Sequence, residues 1–455
     1  MPTGISDGIA AHVAGTRFEA LPAATVVAAK HVLLDATGVM LGASGLAAEA
    51  GPFVRLAAGQ GSGSCAILGT GRTTSAALAA LANGALAHAL DFEDAFDRAP
   101  GHPNASLVPA LLALAQAEGG IGGRRFLTAL TVGGDLACRI GLSLRRSLEA
   151  GGWYPPPIIA AFGAAAGAAS LLGLDAHGVR DALSLTLCQA TMPGEIKHSR
   201  DTVIRAVREA FPAQAAVLSA LLARDGVTGF EQPLEGKGGF FALYAGGEYD
   251  AADLTDRLGR RFWIEELTFK PWPSCRGTHA AIELTLALRA EHGVAPHDMA
   301  GITVEVDDLQ RMLAEPLARK QAPATAIDAK FSIPYCVAVA LTRGAVDLDS
   351  FGPGPLRDPA ILGLAAKVDA RVVENPPWQH GGGGAIEIVL LDGRRLTASV
   401  GNALGCPERP LAADVLVAKF VACAGRAAVP PGDPHGLAEA ILALEACEDV
   451  GALFS

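Results

Sequence analysis

The sequence has no CxxC pair and no histidine–cysteine cluster at zinc spacing; its eight cysteines (65, 138, 188, 275, 336, 406, 423 and 447) are dispersed over 455 residues. That argues against a zinc ribbon or a simple iron–sulfur centre and suits reduced thiols in the cytoplasm. Basic charge is also in deficit, with 36 Lys and Arg against 47 Asp and Glu and a formal net charge of −11. General nucleic-acid binding needs a basic face to neutralise phosphates, so no nucleic-acid partner is expected, although a local basic pocket can still hold a small anion. The N-terminus has an early acid and no basic stretch before an apolar core, unlike a secretory signal. Residues 150–174 are uncharged, but Pro155, Pro156 and Pro157 interrupt the run and small residues dominate the rest, so a buried helix is expected and not a membrane span. Three glycine-rich stretches (59–64, 236–239 and 381–384) lack the strand before and helix after that nucleotide loops require; they read as loops, and no cofactor is expected.

What is present is apolar and patterned. The chain exceeds the roughly 250–300 residues at which one core stops growing, so two domains are expected. Most of residues 20–265 shows helical spacing with alanine and leucine at core positions, as in "SLVPALLALAQAEGG" (106–120) and "AAFGAAAGAASLLGLD" (160–175). Alanine and glycine on such faces let helices approach closely. Asn104 and Pro212 mark helix starts and Gly226 a stop, and this part reads as all-α. From about 268 the texture changes: "GITVEVDDL" (301–309), "KVDARVVEN" (367–375) and "AIEIVLLDGRRLTASV" (385–400) alternate or enrich β-branched residues. Asp392-Gly393 signals a hairpin between the last two strands. Helices are expected after Thr278, over 333–343, and again over 411–425 and 436–446. The fold class is therefore mainly α with a smaller α+β domain: a helical part over 1–267, an α+β part over 268–400, and C-terminal helices over 401–455 returning to the first.

Three stretches concentrate chemistry. "HALDFEDAFDRAPGHP" (88–103) carries Asp91, Glu93, Asp94, Asp97, His88 and His102. The EF-hand arrangement of ligands is missing; a metal loop, an acid/base site and a solvated loop all remain open. "FKPWPSCRGTHAAIELTLALRAEHG" (269–293) sets Lys270, Arg276 and His279 around a helix start with Thr278 as N-cap. The positive end of the helix dipole favours a neutral imidazole there, hence a base or neutral donor, against the plainer reading of a half-buried capping histidine. "PGEIKHSRDTVIRAVREAFP" (193–212) crowds Lys197, Arg200, Arg205 and Arg208 together. Helical spacing puts Arg205 and Arg208 on one face, either of a solvated basic helix or of a wall that binds carboxylates.

Taken in order, "ANGALAHALDFEDAF", "GHPNASLVPALLALA", "AAFGAAAGAASLLGLD", "KPWPSCRGTHAAIE", "DAKFSIPYCVAVAL", "GCPERPL" and "VAKF" resemble the MmgE/PrpD family over residues 20–425. The family includes 2-methylcitrate dehydratase, cis-aconitate decarboxylase and iminodisuccinate epimerase. The resemblance implies a large helical domain built from both chain ends, a smaller α+β lid domain, a homodimer, and a metal-free site between the domains. By motif, Asp91 and His102 take the family's acidic and histidine positions, Lys270 and His279 those of its KPYP…H segment, and Tyr335 the tyrosine of FSxPY. This chain departs from the pattern at Ala95, where a threonine is common, at Tyr154, where a histidine is, and at Arg205 and Arg208, which replace a lysine and a histidine. Arginine does not give up a proton near neutral pH, so charge stabilisation replaces proton transfer as the expected role of Arg205.

The family's reactions share a carbanion or enolate-like species beside a carboxylate, which needs a base, positive charge at the developing oxyanion and an acid. The resemblance therefore implies His102 or His279 as base, with Asp91 orienting an imidazole. Arg205, Arg208, Lys270 and Lys197 would hold carboxylates, and Tyr154 or Tyr335 would donate a proton. Glu93, Asp94 and Asp97 are left with structural or solvated roles. The expected activity is a hydro-lyase on a 2-methylcitrate-like polycarboxylate; the alternatives are an epimerase of an iminodisuccinate-like dicarboxylate, a decarboxylase, and a non-catalytic carboxylate-binding protein.

Overall fold

The computed structural model describes residues 4–99, 101–199, 202–378 and 381–455. The chain forms two compact units. The first holds the chain up to Ala89, then Glu93–Leu267 and Ala412–Ser455; the second holds Leu90–Phe92 and Thr268–Leu411. The C-terminal return thus begins at Ala412 and not at 401.

In the first unit the helices Pro103–Glu118, Gly123–Ser143 and Pro155–Leu172 pack against one another, flanked by Ala76–Ala89 and Ala210–Arg224. The long helix Ala23–Leu46 is covered by Ala413–Ala424 from the C-terminus. Small residues set the spacing. A Cβ on Gly133 would lie 2.7 Å from the Gly163 carbonyl oxygen, and one on Gly163 would lie 2.5 Å from that of Gly133. Only two glycines let these backbones meet.

Pro155, Pro156 and Pro157 open their helix and do not interrupt it, because first-turn residues need no intrahelical N–H partner. Among the described residues, two helices, Ala23–Leu46 and Pro155–Leu172, are long and apolar enough to cross a membrane by length and composition. Their most apolar windows are 72% and 89% buried. Asn104 is not the N-cap expected of it. Its helix starts one residue earlier, at Pro103, after a non-helical His102, and its side chain turns to Asp94.

The helical unit also contains a small hairpin, β1 (Cys65–Ile67) and β2 (Arg72–Thr74), where only helix was expected. Three-residue strands are too short for alternation to show in a sequence. Asn83 secures the hairpin by donating to the Ala66 carbonyl and accepting from the Leu68 N–H, each at 2.9 Å. A buried ion pair fixes the end of the same unit. Arg139 Nε donates to Asp135 at 2.6 Å, while its guanidinium also reaches the carbonyls of Asp256 and Arg261, both at 2.8 Å.

The second unit is built on a four-stranded sheet: β3 (Met299–Val306), β4 (Val368–Val372), β5 (Gly384–Leu390) and β6 (Arg395–Val400), in the order β4-β3-β5-β6. β3 and β4 run parallel, and the other pairs are antiparallel. Asp392-Gly393 makes the β5–β6 turn, with Gly393 at φ +89°. On β5, buried and half-buried residues alternate, and the helix His279–His292 packs against β5 and β6. Ile333–Arg343 packs on that helix in turn.

The Gly133–Gly163 crossing gives a direct test. Gly163→Val should lower unfolding stability by about 1–3 kcal/mol through overpacking. An unchanged urea midpoint would show that the helices can separate freely.

Candidate active site

The helix Ala76–Ala89 delivers His88 fully buried at its last turn. The chain then gives residues 90–92 to the second unit and re-enters the first at Glu93. Glu93 is also fully buried, and its Oε1 meets Nδ1 of both His88 and His102, the latter at 3.0 Å. The two imidazole rings lie 5.0 Å apart.

His102 Nδ1 also sits 2.9 Å from the Asp94 carbonyl oxygen. A carbonyl only accepts, so Nδ1 carries the proton and the lone pair is on Nε2. His102 is thus a carboxylate-held imidazole whose side chain is 15% exposed. Together with Pro156 and Cys138 it lines a small cavity. His88, Glu93 and His102 belong to a group whose ligand atoms gather within 4.8 Å.

Asp94 is fully buried and accepts from Asn104 Nδ2 at 2.9 Å, while its Oδ1 has no hydrogen-bond partner. Burial lifts its pKa to about 7, against the Asn104 hydrogen bond and with help from Asp35. Neither Glu93 nor Asp94 is therefore a solvated acid. Their loop spacing carries no periodic signal; only the crowding of acids between two histidines pointed to them.

In the second unit Asp91 adopts φ +49°, the left-handed region that an L-residue enters at a cost. Its carboxylate pairs with Lys270, whose ammonium also donates to the Asp91 carbonyl at 3.0 Å. Both side chains are buried. The carboxylate on the His102 imidazole is that of Glu93, the part expected of Asp91, and Lys270 already has an internal counter-charge.

His279 opens its helix fully buried, preceded by a 3₁₀ turn over Arg276–Thr278. Thr278 does not cap the helix with its side chain; its hydroxyl donates to the Cys275 carbonyl at 2.8 Å. His279 Nε2 donates to the Ser274 carbonyl at 3.1 Å, and Nδ1 has no hydrogen-bond partner. Burial, reinforced by the cations Arg276 and Lys270, holds its pKa well below the usual imidazole range. The ring is neutral, with a buried lone pair on Nδ1. Arg276 is itself held by Asn402 and the carbonyls of Ala403 and Leu404.

Tyr335 is fully buried, and its hydroxyl donates to the Ser350 carbonyl at 2.9 Å. Burial raises its pKa. This placement corrects the proton-donor role: the hydroxyl anchors the 350 segment to its helix.

Back in the first unit, Tyr154 lies under three cations. Lys197 Nζ is 5.7 Å, Arg205 Cζ 5.8 Å and Arg208 Cζ 5.2 Å from its ring centre. Arg208 is buried and paired with Glu209 at 3.0 Å, which Ser106 also meets, and Lys197 pairs with Glu149. Arg205 remains half-buried. Arg200 lies outside the described residues. Of the expected site residues, Asp91, Lys270, His279 and Tyr335 fall in the second unit, and His102, Tyr154, Lys197, Arg205 and Arg208 in the first.

Imidazoles fixed in single tautomers and a tyrosine faced by cations are parts suited to proton transfer on an anionic molecule. The MmgE/PrpD N-terminal domain matches residues 7–252 and the MmgE/PrpD C-terminal domain residues 272–434. The chain belongs to the MmgE/PrpD family and is an enzyme. It is 29% identical over 376 residues to a cis-aconitate decarboxylase-like protein of Aspergillus oryzae, covering 76% of this chain and 75% of that one. It is 27% identical over 371 residues to the cis-aconitate decarboxylase of Mus musculus, covering 76% and 72%. The cis-aconitate decarboxylase of Aspergillus terreus is 25% identical over 385 residues, covering 80% and 77%.

Asp94 generates a pH prediction. Its folded pKa of about 7 lies above the ordinary 3.8, so the folded state holds the extra proton between those values. The contribution favours folding below about pH 4 and is lost as pH rises through 7, on the order of 4 kcal/mol. Asp94→Asn should therefore gain stability relative to the parent as pH rises from 4 to 8. Parallel stability–pH curves would contradict the assignment.

Proposed function

We propose that the protein is a lyase that removes water from a small polycarboxylate of the 2-methylcitrate type by abstracting a proton beside a carboxylate. The observation that carries this reading is His279, a buried, neutral imidazole with its Nδ1 lone pair unused. In the resting protein burial and neighbouring cations depress its basicity. A polycarboxylate brings negative charge that offsets those cations and raises the basicity when the substrate is in place. Proton transfer to Nδ1 leaves a carbanion that the adjacent carboxylate delocalises, and cationic side chains stabilise the developing oxyanion. The Glu93-held His102 is the second candidate for acid or base. Within the first unit, Tyr154 carries a hydroxyl with Arg205 beside its ring, a pairing suited to a carboxylate or to protonating a departing hydroxide.

A second reading, decarboxylation, is favoured by the cis-aconitate decarboxylase relatives. It forms the same carbanion by losing carbon dioxide and then needs a proton delivered to carbon. Incubation in D₂O with citrates, aconitates and amino-dicarboxylates, followed by NMR and chiral chromatography, separates the outcomes. Alkene formation with water loss is expected; carbon dioxide release would replace the first reading by the second. Inversion with exchange would make the protein an epimerase, and ligand-induced stabilisation with no exchange or product would overturn the enzymatic reading. His279→Ala should lower kcat by about 10²–10⁴-fold. If the folded variant keeps full activity while His102→Ala does not, the base is His102.

A cytoplasmic homodimer completes the proposal. No disulfide forms among the described residues, which suits a reducing compartment. On the helix Ala210–Arg224, Phe211, Leu218 and Leu222 are exposed on one face, a pattern suited to a partner surface. Leu218→Glu should shift the mass measured by light scattering from dimer towards monomer; an unchanged dimer places the interface elsewhere.

A further inference from the structure

Lys330 ends the short helix Ala326–Lys330 and is 4% exposed. A lysine is rarely buried without a purpose, because its ammonium loses hydration that only well-placed acceptors restore. Lys330 Nζ donates to the Leu90 carbonyl at 2.6 Å and lies 5.5 Å from the centre of the Phe351 ring. The Leu90 carbonyl belongs to the peptide that enters Asp91, the residue at φ +49°. Lys270 holds the other side of that residue through its carbonyl and carboxylate. Two buried ammonium groups therefore hold consecutive carbonyls, and a left-handed aspartate persists only where its surroundings over-determine it.

The backbone of Lys330 does a second job. Its carbonyl accepts from the Cys275 N–H at 3.0 Å. The neighbouring Ser274 carbonyl is the acceptor that keeps the proton of His279 on Nε2. The turn is closed by the Ser274 and Thr278 hydroxyls, 2.8 Å apart. One residue thus joins the peptide that presents the Asp91 carboxylate to the turn that selects the His279 tautomer, and all of these contacts lie within the second unit.

We propose that Lys330 is a positioning residue, fixing the Asp91 carboxylate through the Leu90 carbonyl and the free Nδ1 of His279 through the 274–275 turn. The catalytic part of this proposal rests on the reading of His279 and Asp91 given above; the structural part does not. Lys330→Met removes the donor at similar length, and Lys330→Gln keeps a donor amide without the charge. Each is made in the full chain labelled with ¹⁵N-histidine, so that the His279 nitrogen shifts report its tautomer without reference to activity.

The parent should show the neutral form protonated on Nε2. Lys330→Met keeps the main-chain carbonyl that meets Cys275 but releases the residue carrying it from Leu90, so it should let the 274–275 turn shift, move the His279 signal towards a tautomer mixture and lower kcat about tenfold to a hundredfold, as expected for misplaced reacting groups, with KM changed less than about threefold. Lys330→Gln should fall between the two, and it decides the matter if the methionine variant does not fold. A His279 signal identical to the parent's in a folded variant overturns the proposal. A shifted signal in a protein whose parent turns over no polycarboxylate leaves the positioning role standing and removes the proposed reaction instead.

Discussion

The buried ion pair between Lys270 and Asp91 is the constraint on which the candidate chemistry depends. It gives a left-handed aspartate a reason to stay in place, since the ammonium meets both its carboxylate and its carbonyl. It also places positive charge where it lowers the basicity of His279. Losing either partner would leave an uncompensated charge in a dry interior, which costs about 3–5 kcal/mol in comparable pairs. Neither residue can therefore be changed without disturbing the other's neighbours.

Other buried cations are paired in the same way. Arg208 is matched by Glu209 and Arg139 by Asp135, while Glu93 accepts from the His102 imidazole. Cations that looked available for substrate in the sequence are largely committed to internal acids. Among the described residues, what stays open is narrower: the Nδ1 of His279 in the second unit and the Nε2 of a largely buried His102 in the first.

The fold was legible where periodicity was long. The 103–118 and 155–172 helices, the β5–β6 hairpin at Asp392-Gly393 and the helix beginning at His279 all follow from spacing and turn chemistry. The neutral state of His279 agrees with its place at a helix start, although burial contributes most. The pairing of Glu93 with two histidines was not legible, because residues 93 and 102 are brought together by an irregular loop. Nor was the burial of Tyr335, since a tyrosine in FSxPY reads equally as donor or anchor until its hydroxyl is seen on the Ser350 carbonyl. Arg208 looked like a ligand for carboxylates because nothing in its helical spacing reveals that the adjacent Glu209 has already claimed it.

A double-mutant cycle on Asp91 and Lys270 tests the central claim most directly. The unfolding free energies of the parent, Asp91→Asn, Lys270→Met and the double variant are measured by urea titration. If the pair is the constraint described, each single change destabilises, and the double variant loses less than their sum, with a coupling of about 0.5–3 kcal/mol. Additive losses would contradict it, because they would mean that the aspartate and the lysine are held independently.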